Sequence, residues 1–217
     1  MTDPNRTAIM LLVDRSGSMH AIKNSAEEAV NAFVNAQRIH DGNSRTVSLG
    51  VFDDVYELLI PSVDVHDCEP FKLEPRGSTA LLDAMGRAIV EFGAELAELP
   101  EDERPGTVIF GVMTDGQENS SQLYTFKQVQ ALVRHQEKAY NWQIVYLGAN
   151  QDAIATGAKL GVRADRSMSY AATDHGTRAV YDTFSASSVR ASGIGGQSIS
   201  FTDEDREDAM ADEESTR

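Results

Sequence analysis

Residues 8–19 read Ala8-Ile9-Met10-Leu11-Leu12-Val13-Asp14-Arg15-Ser16-Gly17-Ser18-Met19. The apolar start of this stretch predicts a buried strand, and a helical pattern begins at its end. An Asp followed at the second and fourth positions by hydroxyl residues, where a strand passes into a helix, can direct several oxygens at one small, hard cation. The same serines also suit the N-terminal cap of a helix. The stretch alone leaves metal binding and helix capping both open.

Composition limits the class of protein. The chain has 217 residues, one cysteine and a formal charge of −15 from 19 basic and 34 acidic side chains. This length suits a single α/β domain with a tail, and the charge argues against nucleic-acid and membrane binding while suiting a divalent cation. Cys68 has no cysteine with which to form an internal disulfide. Residues 8–13 are too few for a signal sequence or a membrane span, so we predict a cytoplasmic protein.

Strand and helix patterns alternate along most of the chain. Two of the predicted strands are separated only by Asp53-Asp54, which implies a hairpin. Others are nearly continuous apolar runs, typical of strands buried on both faces. The prediction is an α/β fold, with a Rossmann-like open, mostly parallel sheet, one antiparallel edge strand and helices on both faces. The predicted strands lie at residues 8–13, 46–52, 55–60, 107–113 and 142–147, with a short edge strand within 163–170.

The composition changes near the end of the chain. We assign residues 1–190 to the folded domain and residues 191–217 to a Gly/Ser-rich linker and an acidic C-terminal tail. Residues 202–217 hold eight acids and two arginines, which favours a solvated, disordered tail. Ile199 and Phe201, just before the acids, leave open a last packed strand instead.

Two further stretches place oxygen-bearing residues where the first stretch would meet them. Thr79 follows Gly77 and Ser78 at the start of a predicted helix, and Asp115-Gly116 follows the strand at 107–113. The carboxyl ends of parallel strands meet at one edge of a sheet, and ligands bind there. We therefore expect Asp14 and Asp115 to lie at the same edge.

Together, Asp14, Ser16, Ser18, Thr79 and Asp115 resemble the metal-ion-dependent adhesion site (MIDAS) of the von Willebrand factor type A (vWA) domain. The resemblance spans about residues 7–185 and implies a vWA fold of the intracellular, prokaryote-like kind. It also implies that the five residues bind a metal ion, for which Mg²⁺ fits best and Mn²⁺ or Ca²⁺ are alternatives. One departure is Ser78, where the family often has a second glycine.

Other residues are expected beside these ligands. Gly17, Gly77 and Gly116 belong to the same loops, and His20 is placed on the rim by its position in the sequence. Asp83, one helical turn after Thr79, either reaches back to the loop as a second-shell acceptor or is an exposed acid of the first helical turn.

The leading hypothesis is a non-enzymatic, metal-dependent protein–protein interaction module. Two carboxylates leave a divalent cation able to accept a third, so a partner protein would supply an Asp or Glu ligand. The alternative is a Mg²⁺-dependent phosphatase or phosphotransferase with Asp14 as nucleophile, although Ser16 stands where such enzymes usually place a second acid. A further idea is self-association, in which Glu204 or Glu207 of the acidic tail fills the open metal position of the same or a neighbouring copy.

Overall fold

The apolar run that begins at Ala8 forms the centre of the first and longest strand of a mixed sheet. The computed structural model describes residues 2–39 and 41–211. Within them, the strands are β1 (Asp3–Asp14), β2 (Ser44–Phe52), β3 (Tyr56–Asp64), β4 (Pro105–Thr114), β5 (Gln143–Ala149) and β6 (Ser167–Tyr170). The helices are α1 (Lys23–Gln37), α2 (Leu81–Glu98), α3 (Phe126–Tyr140), α4 (Ala153–Leu160), α5 (Asp174–Ala191) and α6 (Asp203–Met210).

The strand order in the sheet is β3-β2-β1-β4-β5-β6. Only β3 is antiparallel to its neighbour, because its short turn from β2 makes a hairpin, and it lies at one edge of the sheet. The predicted fold class is confirmed. In the register between β1 and β4, Val13 is opposite Met113, so both strands end at the same level.

Two layers of helices explain why residues 8–13 of β1 have no polar face. Ile9, Leu11 and Val13 pack into the core that includes α1 and α5, whereas Met10 and Leu12 pack into the core that includes α2 and α3. A strand covered on both sides needs apolar residues at successive positions rather than at alternate ones.

The helix predicted from Met19 begins later in the structure. Residues Gly17–Ile22 form a 3-10 helix, and α1 starts at Lys23. Met19 and Ile22 are nonetheless buried, so the apolar spacing identified the correct core residues although the first turn is wound more tightly.

The acidic end of the chain differs from the solvated tail that its composition suggests. Ile199 and Phe201 are buried in the core next to α5, and residues Asp203–Met210 form α6. Thr202 and Asp205 make a reciprocal capping box at its start, and Ala209 accepts a hydrogen bond from the N–H of Ala171 beside β6. Burial and capping outweigh the charge density here.

The remaining residues of the predicted tail, 212–217, lie outside the described residues. A domain boundary at residue 190 stays a prediction, and the burial of Ile199 and Phe201 favours a boundary after α6. In the described part of the chain, no helix combines the length and the apolar character that crossing a membrane requires.

Candidate metal centre

The three predicted loops lie at the carboxyl edge of the sheet. Asp14 ends β1, Asp115 directly follows β4, and Thr79 lies two residues before α2. Because β1 and β4 are adjacent parallel strands, their ends bring the first and third loops side by side.

Hydrogen bonds connect the oxygens of the first loop to β4 and to the loop after it. Asp14 is fully buried. Its Oδ1 accepts from the N–H of Ser16 at 2.6 Å, and its Oδ2 accepts from Thr114 Oγ1 at 2.5 Å. Ser16 Oγ lies 3.1 Å from Ser18 Oγ, which in turn donates to Asp115 Oδ1 at 2.6 Å. Four of the five predicted ligands are therefore connected through their side chains or a backbone N–H.

Gly116 shows that Thr79 belongs to the same cluster. A Cβ added to Gly116 would lie 2.8 Å from Thr79 Oγ1 and 3.5 Å from both Asp14 Oδ2 and Ser18 Oγ. Oxygens from the first two loops thus surround one point beside Gly116 of the third loop, and the absence of a side chain on Gly116 keeps that space open. Carboxylate and hydroxyl oxygens are the ligands that hard divalent cations prefer.

The electrostatics of the cluster also favour a cation. Burial raises the pKa of Asp14 to about 6, despite the hydrogen bonds from Thr114 and Ser16, and Asp115 raises it further. Burial likewise raises the pKa of Asp115. Two desolvated carboxyl groups beside each other are costly to ionise, and a divalent cation between them offsets that cost.

Helix capping does not account for the serines. Ser16 is the N-cap of the 3-10 helix, and its side chain makes no capping hydrogen bond. The N-cap of α1 is Ile22, again without a side-chain cap. Ser16 and Ser18 instead direct their hydroxyl groups at each other, and Ser18 donates to Asp115.

The loop before α2 depends on Gly77 rather than on a second glycine. Gly77 has a φ of +67°, and an added Cβ would lie only 2.5 Å from Asp54 Oδ2. Its carbonyl accepts from the N–H of Gly17 at 3.1 Å, which joins the first two loops. Ser78 does not adopt a positive φ, so the residue that departs from the family pattern needs no glycine.

Asp53 in the β2–β3 turn bonds to residues of the loop after β1 and of the loop before α2. Its Oδ2 accepts from Arg15 Nε at 2.9 Å and from Arg76 Nε at 2.7 Å, and its carbonyl accepts from the N–H of Ala80. Burial raises the pKa of Asp53, but the hydrogen bonds from Arg76 and Val55 and the charge of Arg15 outweigh it, so the pKa is lowered overall. Asp53 stays ionised and connects the hairpin to two of the loops.

Asn119 positions Thr79. Its Oδ1 accepts from the N–H of Thr79 at 2.9 Å, and its own N–H donates to the carbonyl of Thr79 at 3.1 Å. Both backbone groups of a predicted ligand are held by one residue from the loop after β4. Sequence patterns did not single out Asn119, because the pairing depends on contact between two loops 40 positions apart.

Asp83 and His20, which were also predicted beside the ligands, lie in different surroundings. Asp83 accepts the N–H groups of Gln122, Leu123 and Tyr124 at 2.8 to 2.9 Å, so it holds the far end of the loop after β4 against the start of α2. His20 is exposed on the 3-10 helix that follows the first loop. Among residues 2–39 and 41–211, no three His, Cys, Asp or Glu side chains form a group that could hold a metal, so the candidate centre depends on its hydroxyl oxygens.

Solved structures with this arrangement of strands and helices include several vWA domains. A von Willebrand factor type A protein from Catenulispora acidiphila is 15% identical with a TM-score of 0.59, and the match covers 85% of this chain and 43% of that one. The chain has the vWA fold. The vWA protein VWA2 of Sulfolobus acidocaldarius, an ArnB paralog, is 18% identical with a TM-score of 0.50, over 86% of this chain and 45% of that one.

A third vWA-fold neighbour carries a metal. Proximal thread matrix protein 1 from the mussel byssus, with a zinc-occupied MIDAS motif, is 14% identical with a TM-score of 0.57, over 85% of this chain and 46% of that one. This chain spans less than half the length of these three neighbours. No protein-family model and no curated protein matches the sequence.

Proposed function

We propose that this chain is a metal-dependent protein-binding module. Asp14, Ser16, Ser18, Thr79 and Asp115 hold a divalent cation, and an Asp or Glu of a partner protein completes its coordination. The observation that carries the proposal is the space beside Gly116 of the third loop, around which oxygens from the other two loops converge.

The donor set fits an oxygen-binding cation. Three neutral hydroxyls and two carboxylates suit Mg²⁺, which keeps part of its hydration shell, and Mn²⁺ or Ca²⁺ are alternatives. Zinc in the MIDAS of the mussel protein supports a divalent ion of some kind at this position of the fold. We choose Mg²⁺ because the cluster offers no thiolate or imidazole ligand.

The charge of the chain makes the cation central to partner binding. A formal charge of −15 repels an acidic partner over most of the surface. Attraction is therefore concentrated at the cation, so binding should depend strictly on the metal.

The alternative function, a phosphatase or phosphotransferase with Asp14 as nucleophile, is less well supported. Asp14 is fully buried, and each of its carboxylate oxygens already accepts a hydrogen bond, from Ser16 and from Thr114. A nucleophile needs an oxygen that can approach its substrate. Turnover of generic phosphate esters that Asp14→Asn abolishes would favour the enzyme.

The position of α6 in the fold limits which metal centre the acidic tail could reach. Glu204 and Glu207 lie on α6, which packs beside β6, and two strands separate this edge from β1. This arrangement disfavours a contact with the metal centre of the same copy and leaves a neighbouring copy as the recipient. If light scattering gives the mass of a monomer both with and without Mg²⁺, self-association is excluded.

The cytoplasmic location remains a prediction.

Two measurements test the proposed function in sequence. Isothermal titration should show Mg²⁺ and Mn²⁺ binding to the wild-type chain and a loss of at least about tenfold in Asp14→Ala. Capture from lysate should then retain a partner with Mg²⁺, lose it with EDTA, and lose it in Asp14→Ala. The matched control is Asp102→Ala. Asp102 is an exposed acid between α2 and β4, at the amino end of β4, whereas the metal centre lies at the carboxyl end. Absence of metal binding, or capture unchanged by EDTA, would overturn the proposal.

A further inference from the structure

The hydroxyl of Thr114 has one proton and lies next to two hydrogen-bond acceptors. Thr114 Oγ1 lies 2.5 Å from Asp14 Oδ2 and 3.0 Å from the carbonyl oxygen of Gly116, and it accepts from the N–H of Gly116 at 3.1 Å. A threonine hydroxyl donates one hydrogen bond at a time. The shorter contact, to the carboxylate, is the stronger one and takes the proton. The Gly116 carbonyl therefore needs another donor.

Gln151 provides that donor from the loop between β5 and α4. Its Nε2 lies 3.2 Å from the Gly116 carbonyl, and its Oε1 accepts from the hydroxyl of Tyr146 at 3.2 Å. Burial, and the charge of nearby Asp14, raise the pKa of Tyr146, so its hydroxyl keeps its proton. Because Tyr146 donates to the amide oxygen, the amide nitrogen is directed at Gly116.

The backbone at the end of β5 is shaped to allow this contact. Gln151 folds back over Gly148, where an added Cβ would lie 2.9 Å from Gln151 Cγ. Gly148 is the neighbour of Thr114 in the register between β4 and β5. Asn150, with a φ of +51°, turns the chain just before Gln151, in a conformation that asparagine tolerates better than most residues.

We propose that Gln151 is a positioning residue of the metal centre. By bonding the Gly116 carbonyl, it leaves the proton of Thr114 for Asp14, which holds the Asp14 carboxylate in the orientation that the cation requires. Without Gln151, the Gly116 carbonyl competes with Asp14 Oδ2 for the one proton of Thr114. The hydrogen bond that orients the carboxylate is then weakened. The inference rests on the proposed function, because it assumes that Asp14 binds a cation.

Titration of the full chain with Mn²⁺ tests this role. We expect Gln151→Ala and Gly148→Ala to bind Mn²⁺ about tenfold more weakly than the wild type, as is usual for residues that orient metal ligands. Gln197→Ala, at an exposed glutamine before Ile199, should bind as the wild type does. In EDTA, Gln151→Ala should melt within about 8 °C of the wild type, since two part-buried hydrogen bonds are lost, one to the Gly116 carbonyl and one from the Tyr146 hydroxyl.

A double-mutant cycle separates positioning from a general structural role. In a Thr114→Val background there is no hydroxyl proton to redirect, so adding Gln151→Ala should weaken Mn²⁺ binding by less than about twofold. If Thr114→Val and Gln151→Ala weaken Mn²⁺ binding independently, so that their fold-losses multiply, the inference is overturned. It is also overturned if Gln151→Ala binds Mn²⁺ as tightly as the wild type does. A wild-type chain that does not bind Mn²⁺ would instead overturn the proposed function, and this inference with it.

Discussion

Thr114 Oγ1 donates to Asp14 Oδ2 at 2.5 Å, and this contact joins the carboxyl ends of β4 and β1 at the candidate metal centre. Thr114 and Asp14 are 100 positions apart in the sequence and both fully buried. A buried carboxylate oxygen without a donor is costly, so the hydroxyl both stabilises Asp14 and sets its orientation.

Replacing Thr114 by valine should weaken metal binding without abolishing it. Thr114→Val preserves the branched shape but leaves Asp14 Oδ2 without its donor, and we expect a loss of about 10- to 100-fold in Mg²⁺ affinity, measured by calorimetry. The free energy of unfolding in EDTA should fall by about 1–3 kcal/mol. Thr114→Ser, which keeps the hydroxyl, is the control. Wild-type affinity in Thr114→Val would contradict the role assigned to this hydrogen bond.

Adding one methyl group at Gly116 should close the metal centre. The new Cβ in Gly116→Ala would lie 2.8 Å from Thr79 Oγ1, in the space that the cation is proposed to occupy. Gly116 does not adopt a positive φ, so alanine introduces no backbone strain there. We expect Mn²⁺ binding to fall below detection in calorimetry while circular dichroism remains that of the wild type. Retained Mn²⁺ binding would place the ion elsewhere.

The pair formed by Arg45 and Asp41 should contribute to stability at neutral pH. Both terminal nitrogens of the buried Arg45 donate to the Asp41 carboxylate, at 3.0 and 2.7 Å. We expect Asp41→Asn to lower the free energy of unfolding at pH 7 by about 1–3 kcal/mol, toward the smaller value because solvent reaches part of Asp41. Urea unfolding measures this, with Asp102→Asn at an exposed site as control.

The same pair predicts a pH dependence. The hydrogen bond from Arg45 holds the pKa of Asp41 well below its usual range, against the effect of burial. A carboxyl whose pKa is lowered by folding stabilises the protein fully above its unfolded pKa, which is about 4, and loses this effect as the pH falls further. The difference in unfolding free energy between wild type and Asp41→Asn should therefore shrink below about pH 4. A difference that is constant from pH 7 to pH 3 would contradict this assignment.

The C-terminal segment should be part of the folded unit. Phe201 is buried in the core next to α5, and its N–H donates to the carbonyl of Asp165 just before β6. Phe201→Ala should lower the free energy of unfolding by about 3–5 kcal/mol in urea titration. Asp203→Asn, an exposed position two residues later, should change it little. Equal stability of the two variants would support a domain that ends before this segment.

Several features were readable from the residues alone because they depend on local periodicity. Continuous apolar runs identified β1, β4 and β5 as strands covered on both faces, and the two residues between β2 and β3 predicted the antiparallel edge. Asp14 and Asp115 could be placed at one edge because they follow neighbouring parallel strands. The α6 helix was missed, because its composition is that of a solvated segment, whereas it is held by its capping box and by burial of Ala209 within it and of Phe201 just before it.

The sequence by itself determined the α/β fold and the five candidate ligands, since both are encoded in short, periodic or motif-like stretches. Only the tertiary structure decided how those ligands are held. The donors to Thr79 and to the Gly116 carbonyl come from Asn119 and Gln151, residues with no motif of their own. Their roles arise when separate loops pack at the same edge of the sheet, because a hydrogen bond depends on distance and direction in space rather than on spacing along the chain.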